Sequence, residues 1–137
     1  MVTTPKEYLA GKYREVVLPS TLPNGEHPVF LIRKPPTRVL IEVLSLLDVN
    51  LTPETKPEEL EKNFTERIVN TDIKEKLPKL LELLIPACVV EPKISLDPNE
   101  EDAIYIDDLD FEDQFKLLDE IWNFAGLSKK AEEQRNL

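Results

Sequence analysis

Twelve prolines against three glycines punctuate these 137 residues, and the spacing of the prolines limits the chain to short elements. A proline lacks a backbone N–H and holds φ near about −65°, so it suits a turn, a strand edge or the first turn of a helix and interrupts anything else. With 41% hydrophobic residues, a chain of this length is expected to form one domain around a modest core.

Tyr13-Arg14-Glu15-Val16-Val17-Leu18 and Val29-Phe30-Leu31-Ile32-Arg33 are rich in β-branched and aromatic residues and read as strands. Between them Asn24-Gly25 supplies the positive φ angles of a tight hairpin turn, so the two are expected to pair antiparallel. Lys6 to Ala10 can form one helical turn before them. Pro35-Pro36-Thr37 then closes the hairpin and offers Thr37 as the cap of a helix over Arg38 to Leu47, where Val39, Leu40, Val43, Leu44 and Leu47 share a face.

After a proline-rich bridge, Glu58 to Val69 carries a narrower stripe of Leu60, Phe64 and Ile68. From Ile73 the residues Leu77, Leu80, Leu81, Leu84, Ile85 and Cys88 recur at three and four, which predicts a regular helix from near Leu77 to Pro86. Glu91 to Ala103, polar and proline-containing, reads as a loop. A last helix is expected from Phe111 to Ala125, with Gly126 as its C′ residue. The tail after it has nothing to bury and is expected to fray.

Strands followed by helices predict an α+β fold: an N-terminal antiparallel β-hairpin over about 13–33, then a small, mainly α-helical bundle over about 37–125, in a single domain of residues 1–126 with a tail of 127–137. The expected core is Val17, Phe30, Ile32, Leu40, Val43, Leu44, Leu47, Phe64, Leu81, Leu84, Ile85, Phe115, Leu118 and Trp122.

Twenty-seven Asp and Glu against seventeen Lys and Arg give a net charge of −10 at pH 7. Residues 94–126 hold eleven of those acids and a single lysine, so the entire excess sits on that segment. Affinity for a phosphate backbone comes from clustered basic residues that release counterions, and no basic stripe exists here, so no nucleic-acid partner is expected. The longest apolar run, Leu83 to Val90, is far short of the ~20 residues of a membrane helix, and no membrane partner is expected. Met1 to Pro5 does not read as an export leader. A single cysteine permits no internal disulfide, which points to a reducing cytoplasm.

The acidic segment invites a test for calcium. In EF-hand register Asp97, Asn99 and Glu101 take positions one, three and five, but Asp102 stands where a glycine is required and Asp108 where a bidentate Glu belongs. Asp107, Asp108, Asp110, Glu112 and Asp113 instead gather where a helix begins, and the helix dipole stabilises each by ~0.3–1 kcal/mol. His27, beside the hairpin turn, reads as an exposed strand residue, and Cys88, ending an apolar stripe, as a buried inert thiol. One Cys and one His cannot make a tetrahedral zinc site. No catalytic residue, cofactor or metal is expected, and the chain does not read as an enzyme.

The last helix carries two apolar stripes. Phe111, Phe115, Leu118, Trp122 and Ala125 follow one face, and Leu117, Ile121 and Phe124 a second. A helix this apolar needs two neighbours, so one face can lend aromatic anchors to a partner. Phe111, Trp122 and Phe124 are the candidate anchors, and Asp107, Asp108, Asp110 and Asp113 the charges that would select a partner.

The order of parts, a hairpin ending Leu31-Ile32-Arg33-Lys34-Pro35, short helices, Cys88-Val89-Val90-Glu91-Pro92-Lys93, then Ile106-Asp107-Asp108-Leu109 with Phe111-Glu112-Asp113 and a late Trp122, resembles the tail assembly chaperones of long-tailed (siphovirus-like) bacteriophages. The likeness covers roughly residues 12–125. It implies a non-enzymatic protein of the host cell cytoplasm that binds the tape measure protein, keeps it soluble while the tail assembles and is then shed. It also implies a longer, frameshifted form that recruits the tail tube protein, for which Lys129-Lys130 could mark the slip. A homo-oligomer is expected, since repetition adds avidity on a long partner and an unpaired hairpin edge offers a place to associate. The alternative from another class is a structural virion component, a tail-completion or head-tail connector protein.

Overall fold

Residues 1–47 and 73–126 are described by the computed structural model. The helix expected over Glu58 to Val69, with Phe64, and the tail beyond Gly126 lie outside the described residues. The fold is α+β, with an N-terminal antiparallel hairpin and helices packed on one face of it.

A short helix α1 (Pro5–Ala10) begins at Thr4, whose Oγ1 accepts the Glu7 N–H at 3.2 Å. All of its residues are exposed. Strands β1 (Tyr13–Val17) and β2 (Val29–Arg33) pair antiparallel, with Arg14 opposite Ile32 and Val16 opposite Phe30. The ladder runs on to Leu18, whose N–H donates to Pro28 O at 2.8 Å. It stops there because Pro19 and Pro28 have no N–H to give.

The hairpin is therefore not closed by a two-residue turn at Asn24-Gly25, as the sequence suggests. That dipeptide sits at the tip of a longer connection, where Gly25 N–H donates to Leu22 O at 2.9 Å and Leu22 N–H to Glu26 O at 2.7 Å. Gly25 has φ +88°, the left-handed region that favours glycine, while Asn24 does not share it and instead accepts the Glu26 N–H at 2.9 Å.

Helix α2 (Thr37–Leu46) starts one residue earlier than expected, with Pro36 at the cap position and Thr37 inside. Helix α3 (Ile73–Cys88) passes through both Pro78 and Pro86, where the sequence placed its ends. An interior proline costs about 3 kcal/mol. Burying Leu84, Ile85 and Cys88 around Pro86 returns ~1.5–3 kcal/mol for each large side chain, which outweighs that loss. At the C-terminal end of α3, Arg33 Nε donates to Ala87 O at 2.8 Å, so a cation from β2 meets the negative end of the helix dipole.

The segment expected to be a loop after Cys88 contains three short strands. Strand β3 (Val89–Glu91) adds to the far side of β2, with Leu31 opposite Glu91, Ile32 opposite Val89 and a register shift between the two pairs. Strands β4 (Ile94–Ser95) and β5 (Ile104–Tyr105) form a two-residue parallel ribbon. Ile94, buried among the helices and sheet, anchors this ribbon in spite of its polar flanks. A 3-10 turn over Ile106–Asp108 leads to α4 (Phe111–Phe124), capped by Asp110 and ended by Gly126 at φ +82° as the sequence requires.

Val16, Leu18, Phe30 and Ile32 on the inner face of the sheet meet Val43 and Leu44 of α2 and Leu47 at its C-cap, Leu80, Leu84, Ile85 and Cys88 of α3, and Leu117 and Ile121 of α4. Of the expected core, Val17 is 57% exposed because the strand presents its even-numbered residues inward and buries Val16 instead. Leu40 is half-buried, with Val39 taking its place on the inner face. Phe115 is 41% exposed, and Leu118 and Trp122 are half-buried, because α4 turns its second stripe to the core. Among the described residues no helix is long and apolar enough to cross a membrane.

Candidate partner-binding face

Helix α4 fixes the candidate face through its rotation. Leu117 and Ile121 sink into the core, so the residues on the opposite side, Phe111 and Phe115, come to the surface. Phe111 is 69% exposed. The two rings lie 4.7 Å apart between centroids at 66°, an edge-to-face pair one helical turn apart. Asp107, Asp108, Asp110 and Glu112, all exposed, surround the start of the helix, and Asp119 lies one turn beyond Phe115. The result is an apolar patch rimmed by carboxylates.

Each carboxylate of the expected cluster has its own role. Asp107 Oδ2 accepts the Tyr105 hydroxyl at 2.9 Å, and the bond and charge of that carboxylate raise the phenol's pKa. Asp108 is exposed in the 3-10 turn. Asp110 occupies the cap of α4 without a side-chain cap bond. Asp113 is not a surface charge at all: it is 4% exposed, and its Oδ1 accepts the Ser20 N–H at 3.1 Å. It ties the β1–β2 connection to α4. Ser20 O is in turn bonded to His27 Nδ1 at 2.8 Å, so His27 braces the same loop.

The other two aromatic candidates do not join the patch. Trp122 is half-buried and packs against the core. Phe124, at the far end of α4, lies beneath two cations, with Arg14 at 4.4 Å and Lys34 at 5.3 Å from the ring centroid. Those contacts use the ring's negative face inside the molecule. Arg14 also pairs with Glu120 at 3.4 Å, and Lys116 with Glu120 at 2.9 Å, which raises the Lys116 pKa.

Phe115 is the residue that sequence reasoning assigned to the core and the structure assigns to the patch. A signal for it existed. Glu112 and Asp119 stand three before and four after it, which puts Phe115 on the charged side of the helix.

The loop tested for calcium is occupied by its own hydrogen bonds. Asp97 N–H donates to Ser95 Oγ at 3.0 Å, Asn99 N–H to Asp97 Oδ1 at 3.0 Å, and Lys93 Nζ pairs with Glu100 at 3.0 Å, which lowers the Glu100 pKa. Asp102 has φ +56°, a left-handed conformation at the position where an EF-hand needs glycine. Among the described residues no group of three or more His, Cys, Asp or Glu side chains could hold a metal ion. Cys88 is fully buried, and that burial pushes its thiol up to about 12. It sits in the core, while His27 lies exposed on the β1–β2 connection, so the structure does not unite them as nucleophile and base.

No curated protein and no solved structure matches the chain. One family does: residues 35–137, everything after the hairpin, match DUF7391, a family of unknown function, and the chain belongs to that family.

Proposed function

We propose that this protein is a non-catalytic assembly chaperone of the phage-tail kind, which covers the apolar stripe of a long helical tape measure protein in the host cytoplasm and keeps it soluble. The observation that carries this reading is the exposed Phe111–Phe115 pair within a rim of carboxylates. Large aromatic side chains supply much of an interface's energy, and a charged rim selects a partner of opposite sign. An extended amphipathic helix with basic flanks fits such a patch. The order of sequence motifs from the hairpin to Trp122 supports the same reading. The anchors are Phe111 and Phe115, with Asp107, Asp108, Asp110 and Glu112 as the selecting charges; Trp122 and Phe124 hold the fold.

Co-expression with the tape measure protein of the same genome tests the proposal. The partner should be soluble with this chain, insoluble alone, and insoluble with a Phe111→Ser/Phe115→Ser double variant that stays folded, its melting temperature lowered by only a few degrees. Association should slow as salt rises. Equal solubility of the partner without this chain removes the chaperone reading, and detection of this chain in finished particles turns it into a virion component.

A further inference from the structure

Among the described residues, the hairpin leaves one edge of a definite kind unpaired. Leu18 N–H donates to Pro28 O and Lys34 N–H to Lys12 O, so the hydrogen-bonded pairs of the ladder are the even-numbered residues of β1. In an antiparallel ladder such pairs alternate. Arg14 and Val16 therefore turn their backbone groups to β2, and Tyr13, Glu15 and Val17 turn theirs away from it. With strand order β1-β2-β3, no described strand meets those groups. The other edge, β3, is three residues long and is followed at once by Pro92, and a very short strand is one of the ways proteins blunt an edge. Strand β1 has five residues, no proline and exposed Tyr13 and Val17.

We propose that β1 pairs antiparallel with β1 of a second copy of this chain, joining two three-stranded sheets into one of six strands. Charge selects the register. Only odd-numbered residues can exchange bonds across this edge. Centring the two-fold axis on Glu15 sets Glu15 against its own copy, and centring it on Arg14 sets two arginines together; like charges directly opposite are destabilising. Centring on Val17 leaves a single full pair within the strands and sets both Glu15 residues against Pro19, which has no N–H, and centring on Tyr13 sets Lys12 against Arg14. The register centred on Val16 keeps two full pairs and meets Pro19 only at its ends, where Pro19 O accepts the Tyr13 N–H. It places Glu15 opposite Val17 of the second copy, and Val16 opposite Val16 on the inner face, continuous with the core.

The chain's own tail is the competing occupant, since α4 ends beside Arg14. Residues 127–137, LSKKAEEQRNL, lack β-branched and aromatic residues and suit a strand poorly. The second copy's β1, with two valines and a tyrosine, suits it well. This inference stands apart from the proposed function, because it uses the sheet edge and not the Phe111–Phe115 patch.

Sedimentation of the full chain, with amide hydrogen exchange across a concentration series, tests it. The wild type should sediment at twice the chain mass, and exchange at Tyr13, Glu15 and Val17 should slow as concentration rises. Val17→Pro removes an N–H that the monomer does not use and should halve the mass while the circular dichroism spectrum is kept. Oxidised Val16→Cys should cross-link to a dimer, because a non-hydrogen-bonded pair holds its Cα atoms ~4.5 Å apart, within disulfide reach. Glu15→Cys should not. A wild type that is monomeric at all concentrations overturns the proposal, whether its three edge amides are protected by its own tail or unprotected. So does a dimer that survives Val17→Pro, or a dimer whose edge amides exchange freely. If Val17→Pro unfolds, wild-type exchange and the Val16→Cys cross-link decide.

Discussion

Replacing Leu117 with Ala and, separately, Phe115 with Ala asks which side of α4 faces the core. Leu117 is fully buried, and its truncation removes three carbons at ~0.8 kcal/mol per methylene, with a further loss for whatever cavity the neighbours fail to fill. The expected cost is about 2–5 kcal/mol, which for a chain of this size lowers the melting temperature by roughly 3 °C or more per kcal/mol. Phe115 is 41% exposed and keeps one edge-to-face neighbour, Phe111, also at the surface. Losing a ring pair costs ~0.5–1.5 kcal/mol when buried, so here the expected cost is about 1 kcal/mol or less. Urea titration of both variants with the same m-value gives the comparison directly. If Phe115→Ala costs as much as Leu117→Ala, α4 is rotated from the arrangement described and the exposed aromatic patch does not exist.

Asp113→Ala leaves the Ser20 N–H without its partner and should cost about 1–3 kcal/mol, whereas Asp113→Asn keeps an acceptor oxygen and should retain most of the stability; urea midpoints of the two variants separate these outcomes. Cys88 should resist a thiol reagent in the native protein and react only on unfolding, and a native reaction at the rate of a free thiol would show that the α3 core is open. Because burial raises its pKa from 9.0 to about 12, the folded state holds the proton over that range while the unfolded chain releases it. Its contribution is fully present below about pH 9 and is lost as pH rises toward 12, so Cys88→Ala should flatten the alkaline decline in stability.

The sequence by itself determined the elements whose cause is local. The β-branched runs at 13–17 and 29–33 made strands, and the apolar repeat in 37–46 and the Gly126 stop made helices end where steric rules require. It also located the acidic segment, since charge is a property of composition. What it could not fix was which face of an element is buried. Val16 and Val17 are adjacent valines, and only the packing of Val16 into the shared core tells them apart. Helix α4 offered two apolar stripes of similar strength, and contact with α3 and β2 chose Leu117 and Ile121 over Phe111 and Phe115. The passage of α3 through Pro86 and the strands after it were likewise tertiary decisions. A local penalty of about 3 kcal/mol is overruled when several side chains on either side are buried together, and that burial exists only once the sheet is in place. Asp113 follows the same logic: in the sequence it is one acid among five, and the fold alone brings Ser20, ninety-three positions away, to its oxygen.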